Sequence, residues 1–206
     1  MYNNRAIFDA KMLQSPNYYI SPISLFNMSK ITSINPATEE IYGELEETSE
    51  DEIDRKIKDS RDNKEWNYID INNRVEIISK LVELLEQNKE KLAIIMAHEI
   101  GKPLKAGRHE IEIAKKRILD YCNLIPKFIE DEILFENNIE KNIVFFEPLG
   151  TVVVISPWNA PIFVSLAMLI PPMLCGNNVI WKPSEYASFS GLKLAELFDE
   201  LKKDGL

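Results

Sequence analysis

Glycine, cysteine and histidine are all scarce in this chain. Seven glycines are scattered over 206 residues. None falls in a G-x-G-x-x-G or P-loop pattern, which excludes the two familiar glycine-rich phosphate cradles. The two cysteines, Cys122 and Cys175, imply no disulfide framework and point to a reducing compartment. Each sits at an apolar position of a helical pattern with neither a base nor a cation beside it in sequence, so both read as small packed thiols. His98 and His109 stand without a second histidine or a cysteine at ligand spacing, which argues against a zinc site. Long apolar runs are missing too. The longest, from Ala160 to Cys175, is interrupted by Pro161, Pro171 and Pro172 and is too short to span a bilayer. The opening MYNNRAIFDAKMLQ lacks the continuous apolar stretch of a secretory signal. A soluble cytoplasmic protein is therefore expected. Positive charge is in deficit: 24 basic residues face 33 acidic ones, a net charge of -9. That excludes the basic footprint needed to hold nucleic acid or an anionic membrane. An anionic cofactor stays allowed, because one phosphate site needs only local dipoles and one or two cations.

What is present reads as an ordinary globular chain, with 45% hydrophobic and 28% charged residues. Residues 1 to 30 show no sustained period and are punctuated by Ser15, Pro16, Asn17, Ser21 and Pro22. They are expected to form a leader or loosely attached arm, with translation starting at Met1 or Met28. Asn35-Pro36-Ala37-Thr38 is a turn, followed by a short extended piece at Ile41, Tyr42 and Leu45. Thr48-Ser49 followed by acids opens a helix that fades near Asp62-Asn63. Val75, Ile78, Leu81, Val82 and Leu85 recur at helical spacing; the pattern softens at Gln87-Asn88 and resumes at Leu92, Ile95 and Met96. Gly101 and Pro103 stop it, with Glu99 and Lys102 read as a solvated acid and base at the helix end. A further helix is predicted from Leu104 to Leu124, ending before Pro126. The period then changes, and the segments 132–135 and 141–146 around Asn137-Asn138 read as a β-hairpin.

The most regular part comes last. Gly150 to Ser156 is almost continuously β-branched, as in a strand buried on both faces of a parallel sheet. Pro157 ends it, and Ile162 to Leu174 is a helix apolar nearly all round. Asn178 to Lys182 is a second strand, and Gly191 to Lys203 an amphipathic helix with Leu194, Leu197, Phe198 and Leu201 inward. Strand, helix, strand, helix is a parallel βαβα unit. Two strands alone make an incomplete sheet, so the sequence reads as the first half of a doubly wound domain. Ligands of such sheets bind beyond the carboxyl ends of the strands. Ser156-Pro157-Trp158-Asn159-Ala160-Pro161 follows the first strand and Lys182-Pro183-Ser184-Glu185 the second, so the two clusters converge on one crevice. Asn159, stiffened between two prolines, is either a side-chain amide held ready for an oxyanion or a turn asparagine that caps the next helix. Lys182 is either a ribose or phosphate ligand or a solvated lysine. Glu185 either accepts from ribose hydroxyls or is a helix-start acid, and Trp158 either walls a pocket or packs in the core.

In this order and spacing, Glu147-Pro148-Leu149-Gly150, the 156–161 cluster, Gly176-Asn177 and Lys182-Pro183-Ser184-Glu185 resemble the aldehyde dehydrogenase superfamily. Asn35-Pro36-Ala37-Thr38 and Glu99-Ile100-Gly101-Lys102-Pro103 extend the resemblance upstream, to cover about residues 31 to 206, with a flavour of the semialdehyde branch. The resemblance implies the N-terminal part of a Rossmann-type cofactor-binding domain: a helical portion over 31–131, an oligomerisation-type hairpin over 132–147 and the first βαβα over 148–206. It implies NAD(P)-dependent oxidation of an aldehyde to the acid, by thiolate attack, hydride transfer and glutamate-assisted hydrolysis. Asn159 becomes the oxyanion donor, and Ile155, Ser156, Pro157 and Trp158 become cofactor-pocket wall. Lys182, Pro183, Ser184 and Glu185 fall at the adenosine ribose; Glu185 favours NAD over NADP, and Ser184 leaves dual use open. The family's nucleophilic cysteine, general-base glutamate and pyrophosphate-binding helix start lie further along than residue 206. Aldehyde oxidation by this chain alone is therefore not expected. The expected partners are a small aldehyde and either a second copy or a complementing C-terminal polypeptide. The competing readings are a pseudoenzyme remnant or interaction module, which binds nucleotide weakly or joins a full-length homologue, and a fragment whose apolar segments stay partly exposed.

Overall fold

A computed structural model of the protein describes residues 30–202. The predicted leader and both candidate start methionines lie outside the described residues, save for Lys30. The chain begins with an antiparallel pair, β1 (Lys30–Ile34) and β2 (Ile41–Glu46), joined by the expected turn. Asn35 closes that turn with its own side chain, which accepts from the Ala37 amide at 2.9 Å. The extended piece around Ile41 and Tyr42 thus has a partner strand. Tyr42 stacks on His98 with ring centroids 5.4 Å apart and meets Phe189 edge-on at 5.2 Å. His98 also meets Asn35 at 3.1 Å, which makes it a docking residue for this hairpin.

Six helices follow: α1 (Glu50–Asp62), α2 (Glu65–Tyr68), α3 (Ile71–Ser79), α4 (Leu81–Gln87), α5 (Lys89–Ile100) and α6 (Leu104–Phe128). Ser49 and Asp70 cap α1 and α3 by accepting from the Glu52 and Asn72 amides. The apolar pattern that softens at Gln87-Asn88 is broken there, where the Asn88 side chain bonds back to the Leu84 carbonyl at 2.9 Å, and it is also broken at Lys80. Gly101 ends α5 in the left-handed conformation, φ 68°. Helix α6 does not stop before Pro126 but runs on to Phe128. Within the last turn a proline removes only one backbone bond and its fixed φ suits the helix, so the element survives it.

The hairpin pairs β3 (Glu132–Glu136) with β4 (Lys141–Val144), and Asn137 builds the turn by accepting from the Ile139 and Glu140 amides. Next come β5 (Thr151–Ile155), α7 (Phe163–Leu174), β6 (Asn178–Lys182), a 3-10 turn at Glu185–Ala187 and α8 (Ser188–Leu201). β5 and β6 are parallel, with Thr151 opposite Asn178 and Ile155 opposite Lys182. Helix α8 starts three residues before the expected Gly191, because Glu99 of α5 satisfies the Phe189 and Ser190 amides.

One apolar core joins α3 to α6 on one side with α7 and α8 on the other. Ile78, Leu85, Leu92, Met96, Ile111, Ile118, Leu166, Ile170 and Leu194 are fully buried in it. The strand expected to be buried on both faces is not: Val154 is buried, but Val153 is 61% and Ile155 52% exposed. Side chains alternate across a strand, and only one face of this two-stranded sheet is covered. At the amino ends of the strands, Ser60 of α1 meets Thr151 at 3.0 Å and accepts from Asn178 at 2.8 Å. Gly176, at φ 83°, makes the tight turn into β6, where a Cβ would run into the Arg74 guanidinium.

Candidate functional site at the strand ends

The site is built by the parallel register. Because Ile155 faces Lys182, the two chain segments leave the sheet side by side, and Ser156 N donates to Lys182 O at 3.2 Å. The two polar clusters singled out in the sequence are therefore neighbours at the carboxyl end of the sheet, where ligands of parallel sheets bind.

Their side chains divide into two sets. Ile155, Pro157, Trp158, Asn159, Lys182 and Glu185 are exposed there, while Pro183 is half-buried. Ser156 and Ser184 are buried and turn away from solvent. Ser156 Oγ accepts from Ser165 Oγ at 2.8 Å and from Trp181 Nε1 at 2.9 Å, which locks the end of β5 to α7 and β6. Ser184 Oγ accepts from the Tyr186 amide at 3.3 Å and caps the 3-10 turn. Trp158 is half exposed, so it is not a core tryptophan. Lys182 and Glu185 pair with each other at 3.3 Å. The Glu185 carboxyl is held below its ordinary range, first by a backbone amide and then by Lys182, so it is a ready acceptor.

Asn159 does not cap α7. That role belongs to Glu110 of α6, whose Oε1 accepts from the Ile162 amide at 2.8 Å and the Phe163 amide at 3.0 Å. Lys102 pairs with the same carboxylate and donates to the Asn159 carbonyl at 2.9 Å. The Asn159 side chain is exposed and makes no hydrogen bond among the described residues. Glu99 does for α8 what Glu110 does for α7, and adds a bond from Ser190 Oγ at 2.7 Å. The solvated acid and base expected beside Gly101 are thus both structural: Glu99 is 6% exposed and the Lys102 side chain 16%. Burial pushes the Glu99 carboxyl up, and the bonds from Ser190 and Phe189 oppose that shift.

Glu99 and Glu110 are the residues that sequence reasoning missed. Their signal was present as charge on the inward stripe: Glu99 follows Leu92 and Met96, and Glu110 lies between Gly107 and Ala114. A charged residue on an apolar face has to find a buried partner.

Neither thiol is activated. Burial raises Cys122 to about 11 and also raises Cys175, where the nearby Arg74 compensates only in part. No cluster of three or more potential metal ligands occurs among the described residues. None of the described helices is long and apolar enough to cross a membrane.

The donor set at the strand ends, an ammonium and a carboxylate at the mouth of the sheet, fits ribose hydroxyls. It does not fit a pyrophosphate, because the amino ends of α7 and α8 are both filled by carboxylates of the chain itself.

The family model described as the aldehyde dehydrogenase family matches residues 26–204. Among solved structures, the chain is similar to a NAD-dependent benzaldehyde dehydrogenase from Corynebacterium glutamicum, with 26% identity and a TM-score of 0.79 over 88% of this chain. It is similar to a methylmalonate-semialdehyde dehydrogenase from Oceanimonas doudoroffii, with 27% identity and a TM-score of 0.79 over 88% of this chain. It is also similar to HpcC from Thermus thermophilus, with 28% identity and a TM-score of 0.78 over 84% of this chain. The chain spans 39%, 37% and 34% of the length of these three. With the family pattern running through nearly all of its described residues, this chain belongs to the aldehyde dehydrogenase family.

Proposed function

We propose that this chain supplies the ribose-facing edge and the oxyanion donor of an NAD(P)-dependent aldehyde oxidation. The observation that carries the reading is the pairing of Ile155 with Lys182, which sets Asn159 and the Lys182–Glu185 pair at the same end of one parallel sheet. Lys182 and Glu185 hold the adenosine ribose hydroxyls, with Ile155, Pro157, Trp158 and Pro183 around them and Ser156 and Ser184 fixing the backbone beneath. A nicotinamide cofactor held there would supply the hydride acceptor. The Asn159 amide donates to the aldehyde oxygen as it gains negative charge, a role that suits an exposed amide on a restrained backbone. The nucleophile comes from other sequence, since Cys122 is buried, Cys175 is half-buried and burial raises both thiols. The substrate is a small aldehyde, a semialdehyde within the reach of the family resemblance, and the working unit is cytoplasmic. A complementing polypeptide completes it, and a second copy joins it as a homo-oligomer.

NAD is the preferred nucleotide, because the Glu185 carboxylate repels a 2′-phosphate. Calorimetric titration of the folded chain with NAD, and with NADP in parallel, tests this. Saturable NAD binding is expected, weakened roughly tenfold by Lys182→Ala or Glu185→Ala, as the loss of one charged hydrogen bond implies. A folded chain that binds neither nucleotide overturns the reading. The exposed apolar residues Phe145, Phe146 and Leu149 near the hairpin then favour the second reading, an interaction module for a homologue.

A further inference from the structure

We infer that Lys102 and Glu110 are positioning residues for Asn159, an inference that rests on the oxyanion role proposed above. The pair lies one layer behind the site, on the connection into α6 and on α6 itself, and it grips the turn that carries Asn159 at two places. Lys102 Nζ holds the Asn159 carbonyl at 2.9 Å. Glu110 Oε1 holds the Ile162 and Phe163 amides at 2.8 and 3.0 Å. The ammonium and the carboxylate are themselves paired, so the two grips form one unit.

Three features make this more than a buried ion pair. The capping of α7 would be complete with Glu110 alone, yet Lys102 has a second acceptor, and that acceptor belongs to Asn159. The Asn159 side chain makes no hydrogen bond among the described residues, so what the pair can hold is the backbone from which the amide projects. That backbone runs through a non-helical stretch between Pro157 and Pro161, where intrahelical bonds do not restrain it. A donor is useful to a developing oxyanion only when its geometry is fixed in advance. Lys102 and Glu110 supply that fixing without touching substrate. Glu99 is the internal control: it caps α8 in the same manner, but has no bond to Asn159.

The test is an NMR measurement on the intact 206-residue chain, which needs neither nucleotide nor turnover. It follows the order of the Asn159 backbone amide, together with hydrogen exchange at Ile162, Phe163, Phe189 and Ser190. In Lys102→Met the Asn159 amide is expected to lose order, while exchange at Phe189 and Ser190 stays at the wild-type rate. In Glu110→Ala exchange at Ile162 and Phe163 is expected to rise roughly tenfold or more, as the loss of a charge-assisted bond implies. Lys102→Arg, which can reach both acceptors, restores Asn159. A folded Lys102→Met chain with an unchanged Asn159 amide overturns the inference. Should that variant fail to fold, Glu110→Gln, which keeps an acceptor for the α7 amides but loses the charge that holds Lys102, gives the same reading. Asn159→Ala with unaltered aldehyde turnover, measured on the chain together with its complementing polypeptide, counts against the oxyanion role and leaves the positioning measurement untouched.

Discussion

At the scale of single residues, the most informative group is Glu99. It is a carboxylate buried among α5, α8 and the 3-10 turn, and burial raises it above the ordinary 4.5. A raised carboxyl means that the folded chain binds its proton more tightly than the unfolded chain does. The stabilisation from that protonation is complete below the unfolded value and is lost as pH climbs through the folded one. Glu99→Gln removes this dependence. The expected result is a difference in urea midpoint, wild type minus variant, that falls as pH rises from about 4.5. A flat difference across that window would mean that Glu99 titrates normally. Glu112 has the opposite sign. Lys89 and Lys115 hold it at about 2, so the stability it adds is present at neutral pH and is lost on acidification below 4.5. Because Glu112 lies in solvent, its contribution is screened and small.

At the scale of elements, Ser156 does the joining. One hydroxyl at the end of β5 receives the Ser165 hydroxyl of α7 and the indole N–H of Trp181 in β6. Ser156→Ala leaves both donors partly buried without an acceptor, at a cost of about 1–3 kcal/mol, to be read as a shift in denaturant midpoint. A shift of only a few tenths would mean that water replaces the serine. Elements with one dominant period were legible in the sequence. The βαβα order, the hairpin over 132–146, the Gly101 stop and the convergence of both strand-end clusters could be read from β-branched runs, turn asparagines and prolines. What was not legible turned on distant partners or on helix-end effects. The early start of α8 is set by Glu99 of α5, and the survival of α6 past Pro126 by the place of that proline in the last turn. The same holds at the site. Lys182, Glu185 and Asn159 could be named as candidates from their place after a strand. Glu110, which takes the cap that Asn159 could have taken, acts from 52 residues away.

At the scale of the whole molecule, the described residues bury one face of the β5–β6 sheet and leave the other open, with Val153 and Ile155 at 61% and 52% exposure. Val153 lines one pocket with Phe146 and the 89% exposed Leu149, and the exposed hairpin residues add further apolar surface that water solvates poorly. The chain is expected to self-associate in sedimentation velocity, and Val153→Lys to shift it toward the monomer without altering its helical signal. Indifference to that substitution would place the association elsewhere. The two buried carboxylates have a different consequence. Glu99 and Glu110 occupy the positive ends of α8 and α7 as covalently tethered guests, so those ends are complete as soon as the polypeptide folds. Folding of this region need not wait for any dissolved anion. Deleting either carboxylate would make a self-sufficient helix end dependent on whatever phosphate or nucleotide the surroundings provide.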